Sequence, residues 1–337
     1  MINAIKTERN PIYDWIRVVS ILGIITSHFL IFGGVSDSLD WIGRYLAGVF
    51  NVVFICLSAV LYGNKWRESG RNCFTLSSFL SKRLVKIVST LYPYLCMVII
   101  VFIVFSVPLN INSFIFNFLG IGWFSKIQYN GHLWFVTMIL ICYMSIMFVS
   151  RYPNLDRNKR ISVLFLLIAI SLQFVTDSIG LPGYLFIFLA IYVVLFLWPL
   201  NSIVQIFGLK KNTILFVFSL FNGFVIYSLS IGLFMPLSSV SRLLLSLCGF
   251  LWIAVMFQFL NLRTNRFVDW ISEMSFEMYL VHHILCTGPV SIISISISPI
   301  IKYVALIGFT LVLAVFLHWF SQKIQQLYLS HISQRIQ

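Results

Sequence analysis

Apolar stretches long enough to cross a lipid bilayer recur along this chain, and they constrain its fold more than any other feature. A helix needs about 20 apolar residues to span about 30 Å of hydrocarbon. Ten runs approach or reach that length, near 13–34, 41–62, 87–107, 132–150, 161–177, 182–199, 213–233, 240–260, 273–292 and 300–320. A further apolar segment, 112–124, is too short and is predicted to be an interfacial or re-entrant helix. The sequence therefore predicts an all-α, polytopic integral membrane protein with about ten transmembrane helices, forming a single membrane domain over 1–337.

The composition excludes the soluble alternatives. Of the 337 residues, 60% are hydrophobic and only 10% are charged, whereas soluble domains carry about 25% charged residues. Such a small number of charges cannot cover the outside of a water-soluble core. The chain must therefore meet lipid over most of its surface. A soluble enzyme, a disordered chain and a secreted disulfide scaffold are all excluded.

The positive charges are distributed unevenly among the predicted loops, and this orients the chain. Lys and Arg accumulate in the loops that stay on the cytoplasmic side of a membrane. With the N-terminus inside, the outer loops hold only Arg44, Lys126, Arg242 and Lys302, and most of the other basic residues fall in cytoplasmic loops. Both termini are therefore predicted to be cytoplasmic, in a multi-pass protein of the cell inner (plasma) membrane. The net charge of +13 is explained by contact with membrane lipid, and no nucleic-acid partner is expected.

Three ionisable residues, Asp14, Arg17 and His28, lie on the first predicted span. Such groups cost several kcal/mol in hydrocarbon unless they face a cavity or a partner. Arg17 and His28 are eleven residues apart, which places them within roughly 20° of one helix face, and Asp14 is within i,i+3 reach of Arg17. Each residue alone is explained by snorkelling or by a helix–helix hydrogen bond, but the three together favour a functional site. A lone imidazole in a dry site can act as a general base on a hydroxyl or as a nucleophile.

Two other segments place polar groups at the ends of predicted spans. His132 and Trp134 begin the fourth span at its outer end, where Trp is also common as an interfacial anchor. Tyr279 and His282 lie one to two turns inside the ninth apolar run and indicate a wet helix face. These four residues are therefore candidate functional residues.

A cluster of basic residues, Lys82, Arg83 and Lys86, precedes the third predicted span. Positive charge at the inner surface is explained by membrane topology and anionic lipid. The same cations, with Arg17, would also suit a polyphosphorylated donor such as coenzyme A. The sequence leaves both interpretations open.

Five motifs in chain order resemble the acyltransferase 3 family of integral-membrane acyltransferases. The most specific is Asp14-Trp15-Ile16-Arg17 followed after ten residues by His28, which is similar to the family's Arg-ten-residues-His signature. The stretch 50–61 resembles the second-helix motif with Ala59 in place of a Gly, and 79–87 resembles the basic entry to the third helix with Lys86 in place of an Arg. The remaining two motifs are His-Leu-Trp-Phe at 132–135 and the Ser-to-His element at 275–282.

This resemblance implies transfer of an acyl group, usually acetyl, from a coenzyme A thioester in the cytoplasm to a hydroxyl of a cell-envelope carbohydrate such as O-antigen or capsule. Acetyl-CoA is then the donor co-substrate, no metal is implied, and the carbohydrate acceptor can be lipid-linked. The predicted catalytic residues are His28, Arg17 and Asp14. The predicted donor-binding residues are Arg17, Lys82, Arg83 and Lys86, and the predicted acceptor-binding residues are His132, Trp134, Tyr279 and His282. A transporter or flippase of a lipid-linked sugar or a small solute is the alternative function.

Overall fold

The computed structural model describes residues 10–33, 35, 39–152, 154–155, 159–178, 185–198, 210–231, 238–259, 262–263 and 265–336. Within these residues the chain folds into α-helices. The helices are α1 Pro11–Ile31, α2 Asp40–Glu68, α3 Cys73–Val104, α4 Ile111–Phe118, α5 Trp134–Val149, α6 Lys159–Ser178, α7 Leu185–Leu197, α8 Lys211–Ser230, α9 Ser238–Phe259, α10 Arg266–Glu273, α11 Ser275–Cys286 and α12 Pro299–Ile336. A short 3₁₀ turn, Gly131–Leu133, precedes α5. Three of the basic residues that the prediction places in cytoplasmic loops, Lys6, Arg9 and Arg157, lie outside the described residues.

The prediction of an all-α protein with several membrane-spanning helices is confirmed. Among the described residues, five helices are long and apolar enough to cross a bilayer, and they lie within α1, α2, α3, α5 with its preceding turn, and α12. Three shorter apolar helices lie within α7, α8 and α9. The total of ten spans and the cytoplasmic location of both termini stay predictions.

The predicted ninth span is the clearest correction. A continuous helix was expected over 273–292, but the chain forms the short helices α10 and α11, with Met274 between them, and then an irregular segment up to Ser298. Helix α11 has 12 residues, which at about 1.5 Å each is too short to cross about 30 Å of hydrocarbon. It ends where Gly288 adopts a φ of +93°. Every residue of α11 except Phe276 is buried, so its apolar character reflects a position inside the bundle and not contact with lipid.

The segment 112–124 was expected to form a short helix that does not span the membrane. The chain forms the eight-residue helix α4 there, which begins where the Asn110 side chain accepts a hydrogen bond from the Ser113 N–H. Several of its apolar side chains, including Ile111 and Ile115, are exposed. The short helix is confirmed, and its position relative to a membrane stays a prediction.

The centre of the bundle is formed by α1 and α2, whose axes approach closely because small residues lie between them. Gly23 of α1 faces the ring of Phe50, so a side chain at this position would collide with that ring. On its other sides α2 packs against α7 and α9, and Gly63 allows its backbone to approach the carbonyl of Phe196 in α7. Helix α11 packs between α1 and α12, and α3 packs against α12. This arrangement brings the functional residues of α1 and α11 together.

The outermost helix is α12, which presents a row of exposed apolar side chains. Ile300, Val304, Val312, Phe316 and Trp319 are each more than half exposed. So large a continuous apolar surface is typical of a face that meets lipid. The structure therefore agrees with a multi-pass membrane protein.

Arg67 has a structural role that its sequence position does not reveal. Its guanidinium donates hydrogen bonds to the carbonyl oxygens of Phe196 (2.8 Å) and Leu197 (3.2 Å), at the end of α7, and to Asn64 Oδ1 (2.7 Å). The last carbonyls of a helix have no partner within the helix. Arg67 therefore provides hydrogen-bond donors for the last carbonyl groups of α7 and joins α7 to α2.

We expect Arg67→Met to destabilise the protein by roughly 2–4 kcal/mol, because it removes several charge-assisted hydrogen bonds. The melting temperature in detergent would measure this loss. Arg151→Met, at an exposed position, is the control and should melt like the wild type. Equal melting temperatures for the two variants would show that Arg67 does not stabilise the end of α7.

Candidate active site

Four histidines from three parts of the chain form one cluster inside the bundle. His28 lies on α1, His132 in the turn before α5, and His282 and His283 on α11. The ring centroid of His28 is 4.9 Å from that of His282 and 5.0 Å from that of His283, and His132 stacks on His283 at 4.5 Å. His132 and His282 are almost fully buried, whereas His28 is half-buried. The cluster therefore surrounds one imidazole, that of His28, which is accessible.

The hydrogen bonds of the cluster determine which nitrogen of His28 is basic. His282 Nδ1 lies 3.2 Å from the Met278 carbonyl oxygen, so it carries the proton and donates it, and His282 Nε2 is left with a lone pair. His282 Nε2 lies 3.0 Å from His28 Nδ1, which must therefore be the donor. The Ile24 carbonyl, 3.1 Å from the same His28 nitrogen, also accepts. These bonds place the proton of neutral His28 on Nδ1 and leave the lone pair of Nε2 for chemistry.

The other two histidines are tied to backbone carbonyls. His132 Nε2 donates to the Leu280 carbonyl at 3.0 Å, and His283 Nδ1 donates to the Tyr129 carbonyl at 2.8 Å. His132 Nδ1 is buried and has no hydrogen-bond partner in the described part of the chain. No three His, Cys, Asp or Glu side chains among the described residues are arranged to hold a metal ion.

A cavity of about 640 Å³ lies next to the histidine cluster. Its wall contains Tyr279, whose ring centroid is 5.3 Å from that of His132 and 5.7 Å from that of His282. The Tyr279 hydroxyl donates to the His132 carbonyl at 2.7 Å, and its ring also contacts Phe135, which lines the same cavity. Tyr279 is therefore the boundary between the cavity and the histidine cluster.

The opposite end of the cavity, which we call the basic end, is lined by charged residues. The basic side chains there are Arg17, Lys65, Arg83 and Lys86, and the acidic ones are Asp14, Glu68 and Glu273. The Arg83 guanidinium lies over the Phe79 ring at 5.4 Å from its centroid. Lys86 Nζ donates to the Glu273 carbonyl at 3.3 Å. Cations arranged around one opening suit a ligand that carries several phosphates.

Asp14 and Arg17 form the predicted ion pair, and they also connect two helices. Arg17 Nη1 is 3.1 Å from Asp14 Oδ1, and the Ser272 hydroxyl of α10 donates to the same carboxylate oxygen at 2.6 Å. The Asp14 side chain is 1% exposed, whereas that of Arg17 is 25% exposed and lines the cavity. Asp14 therefore holds the Arg17 side chain at the basic end of the cavity.

The structure brings together most, but not all, of the residues singled out in the sequence. His28, His132, Tyr279 and His282 meet at the cluster, and His132 is buried inside it. Arg83 and Lys86 line the cavity together with Arg17 and Asp14.

Two of the predicted site residues lie apart from both the cluster and the cavity wall. Lys82 is exposed on the outside of α3. Trp134 packs its ring against Trp123 and Phe188. Donor binding by Lys82 and acceptor binding by Trp134 stay predictions.

Sequence reasoning missed three kinds of site residue. His283 is adjacent to His282, and only the fold shows that both rings face His28. Lys65 was recognised only as a topology signal, although it lines the cavity. The hydroxyls of Ser58, Tyr62 and Tyr143 also line the cavity, and the i,i+4 spacing of Ser58 and Tyr62 on α2 was the available signal.

The family of the chain is shown by a comparison with protein-family models. The model of a family described as an acyltransferase domain, acyltransferase 3, matches residues 10–319. The chain therefore belongs to the acyltransferase 3 family and is a multi-pass membrane acyltransferase. Neither the curated proteins nor the solved structures provide a significant match to the chain.

Proposed function

We propose that the protein moves an acyl group, in the simplest case acetyl, from cytoplasmic acyl-CoA to a hydroxyl of a cell-envelope carbohydrate. The observation that carries the proposal is that a cavity lined by basic residues adjoins the histidine cluster through Tyr279. A cavity with a basic end leads to Tyr279, and the ring of Tyr279 contacts histidines that surround His28. In this proposal the basic end faces the cytoplasm and the protein lies in the cell inner (plasma) membrane.

The donor would enter with its nucleotide at the basic end and its thioester toward the histidines. Arg83, Lys86 and Arg17 would hold the phosphates, because fixed cations in a partly buried opening attract a polyphosphate more strongly than they do in water. The thioester would then reach His28 past the ring of Tyr279. Binding the nucleotide far from the reacting carbonyl also helps to position that carbonyl.

The chemistry at His28 would be proton transfer from the acceptor hydroxyl. His28 Nε2 takes the proton while the hydroxyl oxygen bonds to the acyl carbon and the carbon–sulfur bond breaks. The proton then passes to the thiolate of coenzyme A, so His28 returns to its neutral form. In the second route that the residues allow, Nε2 attacks the acyl carbon first and the carbon–sulfur bond breaks to release the thiolate. The acceptor oxygen then takes the acyl group from Nε2, and the proton of the acceptor hydroxyl passes to the thiolate.

The acceptor would approach from the side of the cluster away from the cavity. His28 is half-buried, and the Phe32 ring that stacks on it at 5.6 Å is 37% exposed. An exposed aromatic ring beside the reacting imidazole suits a sugar ring. A carbohydrate, free or lipid-linked, is therefore the acceptor that we propose.

The test is turnover by the purified protein in lipid nanodiscs. We expect release of free coenzyme A from acetyl-CoA to depend on a carbohydrate acceptor, with acetyl ester appearing in the acceptor by mass spectrometry. Movement of a lipid-linked sugar or a small solute across proteoliposomes, without release of coenzyme A, would instead show a flippase or a transporter.

His282 is a positioning residue in this proposal, because its bond to His28 orients that ring and selects its tautomer. We expect His282→Leu to lower kcat about a hundredfold with little change in the KM for the donor. His282→Gln, whose amide oxygen can accept from His28 Nδ1, should restore part of the rate. The pH profile of kcat should also shift for His282→Leu and shift less for His282→Gln. Equal losses of kcat in both variants, with an unchanged pH profile, would show that His282 contributes only to packing.

A further inference from the structure

A cluster of four hydroxyl groups lies within the bundle, and the proposed chemistry does not use it. The Tyr62 hydroxyl of α2 donates to the Tyr143 hydroxyl of α5 at 2.8 Å, and Ser58 Oγ is 3.1 Å from the Tyr192 hydroxyl of α7. Ser58 also interacts with both Tyr62 and Tyr143. The three tyrosines are buried. We call these four residues the hydroxyl cluster.

Three members of the hydroxyl cluster face the cavity. Ser58, Tyr62 and Tyr143 line its wall, whereas Tyr192 is fully buried and lies behind that wall. On α2, Ser58 is seven residues from Lys65, which corresponds to about 10 Å along the helix. The cluster therefore lies between the basic end and Tyr279.

Part of the wall beside the cluster is apolar, which limits what the hydroxyls can bind. Leu57 and Leu61 of α2 and Ile139 of α5 line the cavity near the cluster. A charged group would be poorly solvated there, and an alkyl chain would not use the hydroxyls. Each hydroxyl has one proton and two lone pairs, so the bonds within the cluster use only part of its capacity. The site suits an uncharged chain that carries both donors and acceptors.

We propose that the three hydroxyls of the cluster that face the cavity, those of Ser58, Tyr62 and Tyr143, bind the amide groups of the pantetheine arm of the donor. This inference rests on the proposed function and adds a second recognition element to it. The arm joins the phosphates to the thioester, so it must cross the part of the cavity where the cluster lies. Each amide has one N–H and one carbonyl, and an amide that enters an apolar cavity without partners loses its hydrogen bonds to water. Hydroxyls that can both donate and accept replace those bonds.

The test uses isosteric variants that remove one hydroxyl and keep the ring. We expect Tyr62→Phe and Tyr143→Phe each to weaken the binding of pantetheine, the arm without its nucleotide, about three- to tenfold. The kcat/KM of both variants for acetyl-CoA should fall by a similar factor, and so should their kcat/KM for S-acetylpantetheine. S-ethyl thioacetate, which has no amide, should react equally well with the wild type and with both variants.

Tyr192→Phe is the matched control, because the Tyr192 hydroxyl belongs to the same network but lies behind the cavity wall. We expect it to bind pantetheine like the wild type. An equal loss for Tyr192→Phe, or an equal loss with S-ethyl thioacetate, would show that the cluster only supports the fold and would overturn the inference. Unchanged binding by both Tyr62→Phe and Tyr143→Phe would also overturn it.

Binding and turnover separate this inference from the proposed function. If the wild type binds pantetheine and the two variants bind it more weakly, the cluster recognises the arm whether or not acyl transfer is detected. If the wild type transfers acetyl groups but the variants behave normally, the function stands and the inference fails.

Discussion

Replacing His28 by Ala should lower kcat for acyl transfer by a factor of about 10²–10⁴. General-base catalysis contributes a factor of this size, and His28 Nε2 is the basic nitrogen that the hydrogen bonds of the cluster leave available. Expression and melting temperature should change little, because a half-buried ring contributes little packing. Steady-state release of coenzyme A, measured with acetyl-CoA and a carbohydrate acceptor, would give the factor.

His318→Ala is the matched control for this experiment. His318 lies on α12, where its ring donates to the buried carboxylate of Glu277 at 2.9 Å, away from the histidine cluster. Its loss should affect stability and leave kcat near the wild-type value. If purified His28→Ala turned over at the wild-type rate, the assignment of His28 would be wrong.

The same variant distinguishes the two chemical routes. Acetyl-CoA without acceptor should label the wild type if His28 forms an acyl intermediate, and the label should be absent from His28→Ala. Direct transfer predicts no label in either protein. Mass spectrometry of the rapidly quenched protein would decide between the routes.

Replacing Arg83 by Gln should raise the KM for acetyl-CoA about tenfold and change kcat much less. Arg83 lines the basic end of the cavity, and a tenfold change corresponds to about 1.4 kcal/mol of binding free energy, within the range of a charge-assisted hydrogen bond. The donor KM of the wild type should also rise with ionic strength, because salt screens the attraction between the cations and the phosphates.

Lys82→Gln is a charge-matched control from the adjacent position. Lys82 is exposed outside the cavity, so its loss removes the same charge but no proposed contact, and the donor KM should stay within about twofold. S-acetylpantetheine, which has no phosphates, should react equally well with the wild type and with Arg83→Gln. An unchanged KM for acetyl-CoA in Arg83→Gln would show that the basic residues serve only membrane topology.

The amino-acid pattern by itself determined the class of fold and the position of His28, the histidine that we propose reacts. Hydrophobic runs reveal membrane helices because lipid cannot satisfy polar side chains or backbone. The eleven-residue spacing of Arg17 and His28 follows from the pitch of one helix. The Asp14–Arg17 pair was predictable for the same reason, since its geometry is local.

Tertiary structure decided which distant residues meet. Hydropathy cannot distinguish a helix that contacts lipid from one buried by other helices, and this is why 275–286 was mistaken for part of a membrane span. The contacts of His28 with His282, and of Tyr279 with His132, join segments more than a hundred residues apart. The packing of α2, α5 and α7 likewise places Ser58, Tyr143 and Tyr192 in one network. The spacing of residues along a chain specifies which side chains share one face of a helix. Only the packing of several helices determines which side chains share a cavity.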